Sequence, residues 1–479
     1  MGNHHSHEGS DSHLPNPRGS LRNDLPDRMP TQLVPIDKLA KILVQKSLEE
    51  DSLQGISCRV FTKYVFPRYP DLAERLYKFF LSSAENTRHS YLTQNVFKQQ
   101  AERFLGVISD EAQIEAYVKM YSERNEVKEE NFRQLLLAAY RLAMDHYPDG
   151  PTTCTQLHRT LAAVIDSAFH RKTAVPTSYL VHWIEHHCPR LIVSIHRYVV
   201  HVLSTAYRAL GRDDNEPSGL ELSTPVLERE LNFTRDEEDV LPLSQVWLLA
   251  TVLPNTFTRP SPHHSPVSSA NGLSSQNYIA KMLGSICPSH WVPLYNSGTH
   301  GLGANRFVHH VFNYRGPTVT ILRGEQGVEF CIAADTEWKE THQYWGGEDC
   351  MVLQMLPQYH VIERGPKLLY FNTSIRGYPK ALRAGLDPRK PAIDVCDGFS
   401  VIKYLEIPYT LNDIEVWGCG TEQSREAQLE VKKWEVKQAE RQRQVKLRSE
   451  DWLDHPDRYL LELAGRQTYA SSSDAQSSS

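Results

Sequence analysis

At 479 residues the chain is too long for one hydrophobic core, because single cores rarely grow beyond ~250–300 residues, so two or three domains are expected. Its 40% apolar and 9% aromatic content excludes a collagenous, coiled-coil or wholly disordered chain. The net charge of -6, spread over both signs, supplies no global field for nucleic acid.

Residues 1–32 are rich in His, Ser, Asn, Pro and Gly without apolar periodicity, which predicts a disordered arm. Met1-Gly2-Asn3-His4-His5-Ser6 satisfies the M-G-x-x-x-[ST] pattern, making Gly2 the acceptor of an N-myristoyl group. One such chain gives only reversible attachment, with a partition constant near ~10⁴ M⁻¹, so a second contact is required. The arm holds no cysteine for palmitoylation and only scattered Arg18, Arg22 and Arg28, which leaves a protein partner in the membrane as the second signal. His4, His5, His7 and His13 read as a solvated polar tail rather than metal ligands. There is no apolar signal-peptide core. The most apolar run, Leu191–Leu203, is too short for a spanning helix and is broken by His196, Arg197 and His201.

From 33 to 210 the apolar residues fall at helical spacing, as in Leu39, Ile42 and Leu43, or Phe132, Leu135, Leu136 and Ala139. Three segments share an apolar residue, four others, and Phe opening a helix: Ile56–Phe61, Leu92–Phe97 and Val127–Phe132, with a looser copy at Val175–Leu180. The period of about 35 residues resembles that of EF-hands. Calcium ligands are missing: Met120, Ser122 and Arg124 stand where coordinating oxygens belong, and Asn131 stands for the bidentate Glu. The expectation is a degenerate EF-hand-like fold without the ion, the alternative being a generic helical bundle. His182-Trp183-Ile184-Glu185-His186 matches the H-x-x-E-H zinc pattern, but Trp183 and Ile184 place it on a core-facing helix, and a metal site is not expected. Eight single cysteines without a C-x-x-C read as reduced thiols.

Residues 211–240 form the expected linker, and Arg259–Ser275, full of Pro, Ser, His and Asn, an expected long loop. From Val246 to Trp417 the texture turns to short β-rich runs: Thr318–Leu322, Val328–Ala333, Cys350–Leu356 and Lys367–Phe371. Ser297 and His300, with Glu329 or Asp335, invite a hydrolase triad, yet no G-x-S-x-G elbow is present, and the two are expected to hydrogen-bond within their turn. Cys419 between Gly418 and Gly420 reads as a solvent-facing structural cysteine, with a thiol antioxidant role as its alternative. No phosphate-cradling glycine loop occurs, and no cofactor is expected. Residues 424–448 form a helix on which cations outnumber carboxylates. Lys432, Lys433, Trp434, Lys437, Arg441 and Arg443 make it a candidate partner-binding arm for acidic subunits or calmodulin, against a solvated helix. Residues 449–479 are a tail, disordered at its end, in which Trp452, Tyr459, Leu460 and Leu463 offer a docking cluster.

The stretch 241–420 resembles the TLDc domain. Leu294-Tyr295-Asn296-Ser297-Gly298-Thr299-His300-Gly301 is similar to that family's L-Y-x-S-x-x-H-G element. In order follow Phe307, Gly316-Pro317, Gly327-Val328-Glu329-Phe330, Trp338, Tyr344-Trp345-Gly346-Gly347, Tyr370-Phe371-Asn372 and Ile414-Glu415-Val416-Trp417-Gly418. The glycines and tryptophans read as fold residues, Trp338, Trp345 and Trp417 being core or inter-sheet anchors that bury ~150–250 Å² each. The resemblance implies a β-sandwich with flanking helices and no catalytic constellation, hence an α+β multidomain chain. The succession of Met-Gly-Asn, EF-like half, TLDc and basic helix resembles the eak-seven type. That likeness implies a non-enzymatic adaptor on the cytoplasmic face of lysosomal membranes, and also at the plasma membrane and in the cytoplasm. It implies contact with mTOR pathway components, and the resemblance to TLDc proteins in general implies contact with V-ATPase subunits and protection against oxidative stress. The competing classes are a zinc hydrolase or thiol enzyme, and a vesicle-trafficking regulator.

Overall fold

The computed structural model describes residues 36–83, 90–144, 154, 156–210, 241–259, 287–288, 290–443, 460 and 463. Gly2 and its arm, the linker 211–240, all of the expected long loop except Arg259, residues 444–448 and most of the tail lie outside the described residues. The architecture is mixed: a helical N-terminal half and a C-terminal antiparallel sheet.

The helical half runs α1 (Ile36–Asp51), α2 (Cys58–Val65), α3 (Pro70–Ser82), α4 (Gln94–Leu105), α5 (Asp110–Met120), β1 (Glu126–Lys128), α6 (Glu129–Met144), α7 (Leu157–Phe169), β2 (Ala174–Pro176), α8 (Thr177–His187) and α9 (Val193–Leu210). Local chemistry starts several of these helices. Ser57 Oγ accepts from Val60 N–H at 3.1 Å and Ser109 Oγ from Ala112 N–H at 3.2 Å, each satisfying an amide that has no partner within its helix. The apolar residues that lead the four repeated segments meet in antiparallel pairs, Ile56 with Leu92 and Val127 with Val175. Tyr77 fastens the first pair, its hydroxyl donating to Ile56 O at 2.7 Å and accepting from Leu92 N–H at 3.2 Å. Phe61 and Phe97, which open the exiting helices, meet edge-on at 5.9 Å beneath them.

α10 (Leu243–Val252) corrects the expectation of β-texture from Val246 onward. Every one of its residues is buried, so it has no polar face to reveal a helical period. It packs on α6 and α7, with Trp247 edge-on to Tyr140 at 5.5 Å. A short α11 (Asn255–Thr258) follows.

The sheet contains β3 (Val292–Asn296), β4 (Thr318–Gly324), β5 (Glu329–Ala334), β6 (Met351–Leu356), β7 (His360–Arg364), β8 (Leu369–Asn372), β9 (Ala381–Ala384), β10 (Ile393–Cys396), β11 (Val401–Tyr404) and β12 (Ile407–Gly418). Between β3 and β4 lie α12 (Ser297–His300) and α13 (Ala304–Val311), and α14 (Glu422–Arg443) follows the last strand. Strand order is β7-β6-β5-β4-β12-β11-β10-β9-β8, with β3 also along β12. β12 joins two halves. Its first residues pair with β11 and those from Leu411 onward with β4, the β4 register shifting between Leu411 and Asp413 as a bulge allows.

Alternation along the strands divides the side chains between two cores. Phe330, Ile332, Val352, Leu382, Val395 and Ile402 come from both halves of the sheet and fill one core around Phe307 and Trp338. Val319, Ile321, Cys331, Leu353 and Met355 point the other way and share a core with α10 and the helical half. Trp417 belongs to this second core, so it anchors the helical half on the sheet instead of joining the two halves of the sheet. Polar ties reinforce the junction. Gln245 Nε2 and Arg323 Nε donate to the two oxygens of buried Glu329 at 2.6 and 3.0 Å. Tyr359 N–H donates to Ala163 O at 3.1 Å and its hydroxyl to His187 O at 2.6 Å. Among the described residues no helix is long and apolar enough to cross a membrane.

Candidate functional site

Glycine-permitted close approaches shape the region around α12, α13 and the end of β12. A Cβ on Gly418 would sit 2.6 Å from the Tyr314 ring, whose hydroxyl accepts from Gly420 N–H at 2.8 Å, so the bare backbone is what lets the chain leave β12 there. Tyr295 is fully buried and donates to Gly301 O at 2.7 Å. His300 Nδ1 accepts from Asn296 N–H at 3.1 Å inside its turn, as expected. Ser297 departs from expectation, because its Oγ accepts from Ile414 N–H of β12 at 2.9 Å and so ties the turn to the sheet. The other triad candidates take different partners. Glu329 belongs to the helix–sheet junction, and Asp335 accepts from Gly347 N–H at 2.9 Å and Asp349 N–H at 3.1 Å.

Phe307 meets Trp338 edge-on at 5.1 Å and stacks on Phe371 at 5.6 Å, while Trp338 Nε1 donates to Thr318 Oγ1 at 2.8 Å. Trp345 packs edge-on to Trp338 at 5.3 Å. Gly346 holds φ +117°, a conformation open to glycine, where a Cβ would meet Cys350 Sγ at 2.7 Å. Gly316 brings the chain beside Tyr314 and Gly420, and Pro317 O accepts from Cys419 N–H at 2.8 Å. Glu415 is buried on β12. The signature residues are thus spent on packing and backbone satisfaction.

What they build is a base for α14. Gln428, fully buried, donates through Nε2 to His310 O at 3.0 Å and Phe312 O at 2.9 Å, capping carbonyls at the end of α13. Lys432 Nζ reaches His310 O at 3.4 Å, and burial holds its ammonium below the usual lysine range, with Arg425 adding to the effect. Lys432 is therefore an anchor rather than the free partner-binding cation expected from sequence. Beside it His300 and His310 stack at 3.9 Å, and burial followed by the charges of His300 and Lys432 pushes His310 down to about 4. Farther along α14, Lys433, Trp434, Lys437 and Arg441 are exposed. Trp434, 61% exposed, shares a stripe with Lys437 and Arg441 at i, i+3, i+7, and Leu429 and Val436 form a second exposed apolar stripe with Lys433. The side chain of Arg443 lies outside the described residues. Leu460 and Leu463 are exposed, and Trp452 and Tyr459, the other members of the candidate docking cluster, lie outside the described residues.

The remaining candidates are placed as follows. His182 and His186 are exposed on α8, their rings 4.2 Å apart, with Glu185 3.8 Å from His182 Nδ1. Cys419 is fully buried, which contradicts the solvent-facing reading, and burial pushes its thiol well above the ordinary range, so it is no reactive thiolate. Sequence reasoning missed Cys396. Partial burial opposes ionisation there, but hydrogen bonds from the Ser400 hydroxyl and from the Ser400, Val401 and Gly398 amides hold its pKa below the usual thiol value. Also missed was His187, whose Nδ1 accepts from Val361 N–H at 3.2 Å across the junction.

Comparison with known proteins follows the same geography. Residues 270–379 match the TLDc domain model, a stretch that covers α12, α13 and β3 to β8. The restriction of telomere capping protein 5 of Zygosaccharomyces rouxii is 26% identical over a match covering 37% of this chain and 44% of that protein. Its counterpart in Lachancea thermotolerans is 28% identical, covering 30% of each chain, and that of Saccharomyces cerevisiae 26% identical, covering 28% of this chain and 29% of that protein. The chain spans less than half the length of these curated relatives. On the order of the signature residues, their packing and this match, the chain carries a TLDc domain.

Proposed function

We propose that the chain is a membrane-tethered adaptor that binds V-ATPase subunits at the cytoplasmic face of lysosomal membranes and acts in mTOR-linked growth and stress signalling. One observation carries this reading: the TLDc signature residues are consumed in building a rigid base, from which α14 projects a side bearing Trp434, Lys437 and Arg441. Such a helix suits an acidic groove on a partner subunit, with Trp434 as the apolar anchor. The myristoyl group on Gly2 supplies the membrane contact, and neither contact alone need be strong. The helical half is read as a degenerate EF-hand-like pair of modules, supported by the Ile56–Leu92 and Val127–Val175 pairings. It stiffens the sheet and carries no calcium role.

Proximity labelling and membrane fractionation of the full chain, Gly2→Ala and a 424–448 deletion test the proposal. Gly2→Ala is expected to move the protein into the soluble fraction. The deletion should keep the membrane fraction and cut labelling of pump subunits by about tenfold, the loss of one anchoring contact. Unchanged fractionation of Gly2→Ala counts against the anchor. Labelling of chromosome-end proteins in place of pump subunits, as the relatives' name would suggest, counts against the partner.

A further inference from the structure

The outward face of β8 and β9 carries a cleft that the adaptor reading does not use. Its volume is about 540 Å³, within the ~300–1,000 Å³ typical of small-ligand sites. Tyr370 of β8 pairs in register with Arg383 of β9, which pairs with Asp394 of β10. Because Leu369, Phe371, Leu382 and Ala384 point into the core, Tyr370 and Arg383 face outward and form the floor. The segment before β6 gives one wall, with Tyr344 stacked on Tyr370 at 5.3 Å. His342 lies against Tyr378, their centroids 5.2 Å apart, and Lys367 also lines the cleft.

The polar groups around this cleft are in surplus as donors. Burial pushes the Tyr344 hydroxyl up to about 12, so it stays protonated at neutral pH. Arg383 lies beside that hydroxyl and partly offsets the effect of burial, its Nη2 pairs with Asp394 at 3.1 Å, and its Nε is buried without a hydrogen-bond partner among the described residues. A buried donor left unpaired costs ~1–3 kcal/mol, which an incoming acceptor recovers. Nearby carboxylates are already occupied: Asp387 accepts from Arg389 N–H at 2.9 Å, Glu363 from Leu386 N–H, and Glu340 from Thr373 and Ser374 N–H at 2.6 Å each. Lys367, Arg376, Lys380, Arg389 and Lys390 are exposed and form no ion pair among the described residues. Lys367 and Arg383 bring two cations to a cleft whose walls are aromatic.

We propose that this cleft binds a planar ring bearing a phosphate, the ring against Tyr344 and His342 and the anion against Lys367 and Arg383. Aromatic faces accept a ring by stacking, worth ~1–3 kcal/mol per base in nucleic-acid proteins, and a fork of guanidinium donors suits phosphate. A nucleoside monophosphate and a phosphotyrosine side chain share that chemistry. The site stands apart from the membrane and pump reading and is tested without either.

Calorimetric titration of the full chain with AMP, O-phosphotyrosine, adenosine and inorganic phosphate is the test. At least one ring phosphate should saturate and bind about tenfold or more tightly than adenosine or phosphate alone, since it uses both halves of the cleft. Preference for AMP assigns a free nucleotide, and preference for O-phosphotyrosine a modified peptide. Lys367→Asn fits the positive φ of 58° at that position and should weaken binding about tenfold with the melting temperature unchanged, as should His342→Ala. Absence of saturation by both ring phosphates at ~10 mM overturns the proposal, as does equal affinity for inorganic phosphate or an unchanged affinity in both variants.

Discussion

Trp247→Ala is expected to destabilise the chain by about 3–5 kcal/mol, the range for removing a large buried aromatic side chain. The indole is fully buried in α10, lies edge-on to Tyr140 of α6, and makes no hydrogen bond among the described residues, so the loss is one of packing. It follows that Trp247→Phe, which retains a ring, loses much less. Equilibrium urea unfolding followed by far-UV circular dichroism measures both. A loss under ~1 kcal/mol for the alanine variant would mean that α10 is not the keystone between helices and sheet.

Acidification from pH 7 to 5 is expected to destabilise the chain by at least about 2 kcal/mol. His187, His196 and His310 are each pushed down to about 4, chiefly by burial, with His360 and His186 adding at His187, Arg197 at His196, and His300 and Lys432 at His310. The unfolded chain takes up these protons near pH 6.5, whereas the folded chain resists until about 4, so the unfolded state binds more protons throughout that window. Stability is therefore flat above about 6.5 and falls as pH drops from 6.5 to 4. His196, only 6% exposed, contributes a loss of about 2 kcal/mol at pH 5. Thermal melts at pH 7 and 5 should show this, with a shallower pH slope in His196→Gln. A melting temperature that holds constant across this range would contradict the neutral, buried state of these rings.

The strands were legible because apolar runs such as Thr318–Leu322 and Cys350–Leu356 are bounded by Gly, Pro or charged turns, and the observed β4 and β6 fall on them. Helical periodicity read the N-terminal half as helical for the same reason, Leu39 and Leu43 lying on the buried face of α1 and Phe132, Leu135, Leu136 and Ala139 on that of α6. α10 was illegible as a helix because tertiary burial on every side erased its period. Alternation says that Trp417 has a face but not which core that face meets, and the answer depended on where the helical half docks. Long-range partners carry no local signal: Gln245 meets Glu329, His187 meets Val361, and Gln428 reaches back to the end of α13. Lys432 looked like a free cation in a run of cations until the carbonyl of His310 was found beneath it. The aromatic cleft was hidden similarly, its lining drawn from residues 342 to 388 on separate strands and loops.

The helical half and the sheet share one core through α10 and Trp417, and that junction holds the base of α14 in fixed relation to the rest of the molecule. Differential scanning calorimetry of the full chain tests it most directly. One cooperative endotherm, with calorimetric and van't Hoff enthalpies equal, is the predicted result. Two separable transitions, one lost on deleting residues 36–210 while the other persists unchanged, would contradict it.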